Sequence, residues 1–290
     1  MMSNRVLLIA AFIAAGVPAA LSAADSKTAP AGLSATQIVD RHLAARGGLQ
    51  AWRAVQTMSW SGKMDAGLGD SVARSENYVS QTWGKKSAQA RLAASRPTNK
   101  AEAQQVQLPF VLEVKRPGMS RVELEFAGKT AVQVFDGSNG WMKRPFLNRN
   151  DWEPFSAEQA RASEGQWELD GPLFDYAAKG TKVALDGVEA VDGHDAYKLK
   201  LSLKNGTVKH IWIDTHSFLD VKVEGTPRRM DGKMRTVWVT QRDFRPVQGV
   251  MVPFLLETAV DGYADTHKMV LEKVALNPKL DDARFTKPKA

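Results

Sequence analysis

The sequence has no cysteine. That excludes disulfide stapling and thiolate metal sites. Signatures of hydrolytic and nucleotide chemistry are missing too: there is no HExxH helix, no GxSxG elbow and no P-loop. "DGSNG" (136–140) sets a serine between glycines, but at the spacing of a turn. "GHDAY" (193–197) sets His194 beside Asp195, and adjacent residues on a strand point to opposite faces. No basic run carries interleaved aromatics of the kind that binds single strands, so nucleic acid is not an expected partner. A non-catalytic protein without a cofactor is the expectation.

Long apolar runs are scarce. The only one, Val6 to Val17, is too short to span a bilayer. Arg5 precedes it, Pro18 breaks it, and "SAA" (22–24) offers small residues for cleavage. Residues 1–24 therefore read as a secretory signal, and the protein as exported to a periplasm. No lipobox cysteine is present to take a lipid anchor. The formal charge of +7 favours acidic partners: anionic headgroups, a membrane surface or an acidic protein.

What is present is mostly strand. Residues 25–33 form a polar lead-in, and one domain is expected over 34–290. Ser34 and Gln37 have capping-box spacing, and Ile38, Val39, His42 and Leu43 make one apolar stripe that Gly47 and Gly48 stop. "LQAWRAV" adds a short helical turn. Strands follow at 57–64, 121–126 and 130–141, then in "YKLKLSLKNGTVKHIWID" (197–214), "FLDVKVE", "MRTVWVTQRDF", "VMVPFLLETAV" and "HKMVLEKVAL". Pro253 argues for an edge strand or a bulge. Residues 84–107 are a polar excursion without a firm period, and 154–180 read as helical, including "GPLFDYAAKG". The sum is a mainly β, α+β domain: an antiparallel meander of roughly ten strands, a barrel or sandwich by its turn spacing.

The stretch "HIWIDTHSF" (210–218) poses the sharpest chemical question. On a continuous strand His210, Trp212, Asp214 and His216 share a face, as a metal site would need. "DTHS" is turn chemistry, however, and a strand ending at Asp214 sends His216 elsewhere. No metal site is expected. A tight Asn205-Gly206 turn would pair Leu203 with Val208, Leu201 with His210 and Leu199 with Trp212, placing His210 and Trp212 inside. A three-residue loop would bring Ile211 and Ile213 in instead.

Eight tryptophans and eleven phenylalanines against four tyrosines suit either an ordinary core or the wall of an apolar cavity. The order of features then resembles the LolA-like/LolB-like superfamily of bacterial outer-membrane lipoprotein-sorting proteins. "IVDRHLAARGGLQAWRAVQTMSWSGKM" is similar to its opening helix and first strand. "VFDGSNGWMKRP" resembles its glycine turn, "GPLFDYAAKG" its middle helix, "HIWIDTHSFLDVKVE" a strand ending in Asp with its return strand, and "GVMVPFLLET" with "NPKLDDARFTKP" its last strands and tail. The resemblance implies a half-open antiparallel β-barrel whose concave face is covered by helices around an apolar cavity. It implies a periplasmic carrier for acyl chains of a lipoprotein or another amphiphile, with inner- or outer-membrane proteins as further partners. Leu173, Phe174 and Tyr176 are then expected on a lid, Trp60, Trp212 and Trp238 in the wall, and Trp141 with Phe146 at the rim. The alternatives are an envelope assembly protein on the same fold, or a periplasmic hydrolase.

Overall fold

The computed structural model describes residues 32–65, 107–145, 149–164, 168–169 and 171–287. The expected signal segment, nearly all of the lead-in, residues 84–106 of the polar excursion and Phe146 lie outside these. Two helices open the described chain, α1 (Ala35–Ala45) and α2 (Leu49–Ala54). The strands are β1 (Thr57–Asp65), β2 (Gln107–Lys115), β3 (Met119–Phe126), β4 (Lys129–Phe135), β5 (Gly140–Arg144) and β6 (Arg149–Pro154). After the helix α3 (Ala157–Ser163) come β7 (Lys182–Val191), β8 (His194–Ser202), β9 (Val208–Asp214), β10 (Asp220–Glu224), β11 (Arg228–Met230), β12 (Lys233–Arg235), β13 (Val237–Val247), β14 (Val250–Val260) and β15 (His267–Leu276).

Thirteen of these strands form one antiparallel sheet in the order β6-β5-β4-β3-β2-β1-β15-β14-β13-β10-β9-β8-β7, and β11 and β12 make a separate hairpin. The sheet is open, with β6 and β7 at its edges. It exceeds the expected ten strands because β2, β6 and β7 give weak sequence signals. β2 has a proline at 109, and β7 is interrupted at Gly187, where its register shifts. β14 is an inner strand despite Pro253. Its pairing with β15 covers only Leu255 to Thr258, so Pro253 falls in the half that β15 leaves unpaired.

One face of the sheet carries both helices. The Ser34 capping box forms as the sequence indicates. Ile38 and Val39 of α1 pack on Leu199, Leu201, Ile211 and Ile213. Trp52 and Val55 pack on Met58, Phe110, Leu112 and Phe254. Residues 171–180 join the two clusters, because Leu173 enters the first and Phe174 the second, each 1% exposed. This segment is a chain of turns, not the expected helix. Asp175 sits at φ +51, outside helical geometry, and its carboxylate takes two hydrogen bonds from Arg53, at 3.1 and 2.5 Å.

The hairpin register also differs from the tight-turn expectation. Leu199 pairs with Ile211, Tyr197 with Ile213 and Lys198 with Trp212. The loop runs one residue longer, with Leu203 N–H donating to Thr207 O at 2.8 Å and Gly206 at φ +84. Only Gly206 takes positive φ, as in a type I turn closed by a left-handed glycine, so Asn205 need not. That one-residue change turns His210 and Trp212 to the face away from the helices.

At the end of α1 a charged group is buried. Arg46 Nη1 meets Asp220 Oδ1 at 2.6 Å, with side chains 8% and 7% exposed. Arg46 Nε donates to Met251 O at 3.0 Å, and Gln241 donates to the second Asp220 oxygen at 3.2 Å. The guanidinium lies 4.9 Å from the Trp52 ring, whose Nε1 donates to Arg46 O. Gly47 follows at φ +103, and a Cβ there would fall 2.2 Å from Gly249 O. No other residue allows α1 to approach β14 so closely.

Asp220→Ala should destabilise the fold by about 3–5 kcal/mol, because it strands a buried guanidinium. Urea unfolding measures this, and a loss under about 1 kcal/mol would show the pair to be peripheral. The neighbouring His42 supplies a pH effect. Burial pushes its imidazole below the ordinary 6.5; the Asp220 charge opposes this, Arg46 reinforces it, and the Phe218 carbonyl at 2.9 Å opposes it. The unfolded chain therefore takes up a proton that the folded chain resists as pH falls below 6.5. Stability should fall over that descent toward about pH 5, before most carboxylates titrate. His42→Gln should flatten the slope, leaving the share of His267, whose pKa burial also lowers. An unchanged slope in stepped-pH denaturation would contradict the assignment.

Candidate functional site

Among the described residues, the helix-bearing face is covered in its middle and only partly covered toward one rim. Alternation along β1 puts Met58, Trp60, Gly62 and Met64 on this face. Registers carry the surface sideways: Trp60 lies opposite Leu112 and Val274, Met64 opposite Leu108 and Met269, and Leu256 opposite Met269. Leu124 of β3 lies opposite Phe110. Met58, Phe110 and Leu112 are buried under Trp52 and Phe174. Farther along, Trp60, Met64, Leu124, Leu256 and Met269 are only half-buried, and Phe126 is 44% exposed. Gly62 permits this flatness, since a Cβ there would fall 2.0 Å from Val270 O in the adjacent bulge. The result is an apolar floor that widens from a filled core toward the rim.

The face away from the helices holds a different assembly. Trp212, Lys222 and Glu224 come together because Lys222 pairs with Trp212 and Thr240, and Glu224 with Trp238. Lys222 Nζ lies 4.6 Å from the Trp212 ring and 5.2 Å from the Trp238 ring. Burial lowers the Lys222 pKa, with the Glu189 charge acting against it. Glu189 accepts from Trp212 Nε1 at 2.8 Å and from Lys198 Nζ at 2.7 Å. Burial raises the Glu189 carboxyl, but these bonds outweigh it and leave its pKa below the usual value. His210 Nδ1 lies 2.7 Å from Glu224 Oε2 and its Nε2 3.6 Å from Asp186. His210 thus has acidic neighbours and no place in an apolar interior. Glu189, Trp212, Lys198, His210 and Glu224 are thus tied to one another or to their neighbours, as in a structural strut.

Asp214 ends its strand and accepts from the backbone N–H of His216 and Ser217, at 3.1 and 2.7 Å. His216 is therefore on an exposed turn, away from His210. Among the described residues no group of three histidines or carboxylates is placed to hold a metal ion.

Of the eight residues expected in a ligand site, Phe146 lies outside the described residues and the other seven divide among separate places. Trp60 is on the floor. Leu173 and Phe174 are in the filled core, and Tyr176 is half-buried beside Leu173's cluster. Trp212 and Trp238 are on the opposite face, because of the register change. Trp141 pairs with Val134 on that same opposite face and lines a hollow of about 250 Å³ with Pro154, Phe155 and Ala160. A second hollow, of about 270 Å³, lies between Ser59, Val111, Glu113 and Lys273. Both fall below the ~300–1,000 Å³ of ordinary ligand pockets. Sequence reasoning missed Met64, Leu124, Leu256 and Met269. Strand alternation marks each as inward, but only the sheet order brings them together.

No protein-family model matches the chain, and no curated protein matches it in sequence. Solved structures match the fold. A DUF1329 family protein from Desulfovibrio piger superposes with a TM-score of 0.52 at 12% identity, over 87% of this chain and 97% of its own. A LolA superfamily protein from Nitrosomonas europaea does so with a TM-score of 0.51 at 14% identity, over 88% and 99%. The protein is an open antiparallel sheet with helices on one face, and that fold is LolA-like. Among the described residues no helix is long and apolar enough to cross a membrane.

The face assignment makes Trp212 a structural residue. Trp212→Phe removes one hydrogen bond to a charged acceptor and should lower stability by about 1.5–3 kcal/mol. Urea unfolding measures this, and an unchanged midpoint would contradict the assignment.

Proposed function

We propose that this chain is a periplasmic carrier that shelters acyl chains of a lipoprotein or another lipid amphiphile, without catalysis. The half-bare floor of Trp60, Met64, Leu124, Leu256 and Met269 carries the reading. An acyl chain laid on it leaves water at a gain of about 0.8 kcal/mol per buried CH₂. Partial cover keeps that gain below the value for full enclosure, so cargo can leave again. The LolA-like fold and the signal-like start at 1–24 support this reading. Membrane proteins of the envelope would then be donor and acceptor.

A second reading has its own observation. The sheet face under α2 is filled by Trp52 and Phe174. A filled interior suits an envelope assembly protein that holds no lipid.

Titration with a fluorescent acyl probe separates the two. Leu124→Asp and Leu256→Asp should each weaken binding about tenfold or more, since a charge replaces several buried methylenes. Circular dichroism confirms that each variant is folded. Unchanged binding in folded variants, or none in the wild type, would favour the assembly reading.

A further inference from the structure

The rim toward which the floor opens also carries three of the four exposed large apolar side chains among the described residues. Met234 is 57% exposed, Val208 45% and Phe126 44%, while the fourth, Val270, lies within β15. The antiparallel order puts all three on one rim: Phe126 ends β3, Val208 starts β9, and Met234 lies in the β11–β12 hairpin between β10 and β13. Met64, Met269 and Leu256 approach the same rim from the floor.

Each tip has a cation beside it. Lys129 follows Phe126, Lys204 precedes Val208, and Arg229 is paired across the hairpin with Met234. The hairpin is the most basic of the three, with Arg228, Arg229, Lys233 and Arg235 in eight residues. Arg228, Arg229 and Lys233 are exposed. The hairpin's acid, Asp231, is taken by Tyr263, and Arg235 lies 5.9 Å from the Tyr263 ring. Those contacts fix the hairpin against the β14–β15 turn and leave the other cations facing water. Asp65 and Glu224 end strands on this rim, and Asp261, Asp265 and Glu125 add further acids, but Lys182, Lys209 and Lys268 keep it net basic among the described residues. The opposite rim is different: its turns carry Asp136, Asp192 and Asp214.

We propose that this rim docks on an anionic phospholipid surface, with Met234 and Phe126 entering the headgroup layer and Arg228, Arg229 and Lys233 meeting phosphates. Separate apolar tips, each flanked by cations and without a shared groove, suit a fluid anionic surface that fits itself to them. The proposal does not depend on the floor holding an acyl chain, though docking there would bring the floor to the bilayer.

The test is flotation of the full chain with phosphatidylcholine vesicles, with and without phosphatidylglycerol. The protein should float with the mixed vesicles, not with pure phosphatidylcholine, and less as salt is raised. Arg228→Gln, Arg229→Gln and Lys233→Gln together should lower partitioning about a hundredfold, from roughly fivefold per cation. Phe126→Ser with Met234→Ser should lower it about tenfold and keep the salt dependence. Lys279→Gln with Lys287→Gln, exposed cations of the C-terminal tail, should leave it unchanged. Leu124→Asp, impaired in acyl loading, should still float, so this proposal and the carrier reading fail separately. Equal binding to neutral vesicles, no binding, or an equal loss in the tail variant would overturn the proposal.

Discussion

Arg46 and Asp220 are separated by 174 positions and meet at 2.6 Å where α1 reaches the sheet. Two charges so deeply buried gain from each other only if their remaining hydrogen-bond capacity is met. Here it is met by Met251 O for the guanidinium and by Gln241 for the carboxylate. The pair therefore ties α1 to β10, β13 and β14 at once. Trp52, stacked on the same guanidinium and bonded to Arg46 O, passes that constraint to α2. Phe174 packs on Trp52 at 5.4 Å between ring centres, so residues 171–180 follow. The helix-bearing face owes its filled middle to this chain of contacts.

Where the contacts stop, the floor begins. Trp60, Met64, Leu124, Leu256 and Met269 have the same inward direction as Met58 and Phe110, with less above them among the described residues. A face half filled and half bare differs from a sealed core and from an enclosed pocket. The carrier proposal rests on that difference. The opposite face has none of this character. There Trp212, Lys222 and Trp238 are locked by Glu189 and their own ring contacts, and Phe285 of the tail covers Val132 and Val134. Tryptophan count alone would treat the two faces as equals.

Much of the fold is legible along the chain. The Ser34 cap, the alternation of β1, β3 and β15, and the Asp214 turn are local, and local rules find them. The hairpin register is not legible to the same depth. Asn205-Gly206 is compatible with loops of two or three residues, and the longer one is selected by what it buries. It brings Ile211 and Ile213 against Ile38 and Val39, and leaves His210 to Glu224. Residues 171–180 misled for a related reason. Their composition favours helix, yet Leu173 and Phe174 must enter two different clusters and Asp175 must reach Arg53, which a regular helix does not allow. Arg46 and Asp220 are ordinary charged residues until the sheet order makes them neighbours. The floor is likewise a product of pairing, since its members come from β1, β3, β14 and β15.

The fold, the floor and the net basic rim are the grounds for the proposal of a carrier that works beside a membrane. The most direct measurement of that proposal is native mass spectrometry of the protein purified from its native cells, with lipid extraction of the same sample. A bound amphiphile near one-to-one stoichiometry is the predicted result, and its mass would give the cargo class. A bare protein mass that persists after incubation with phospholipids and lipopeptides would contradict the carrier account.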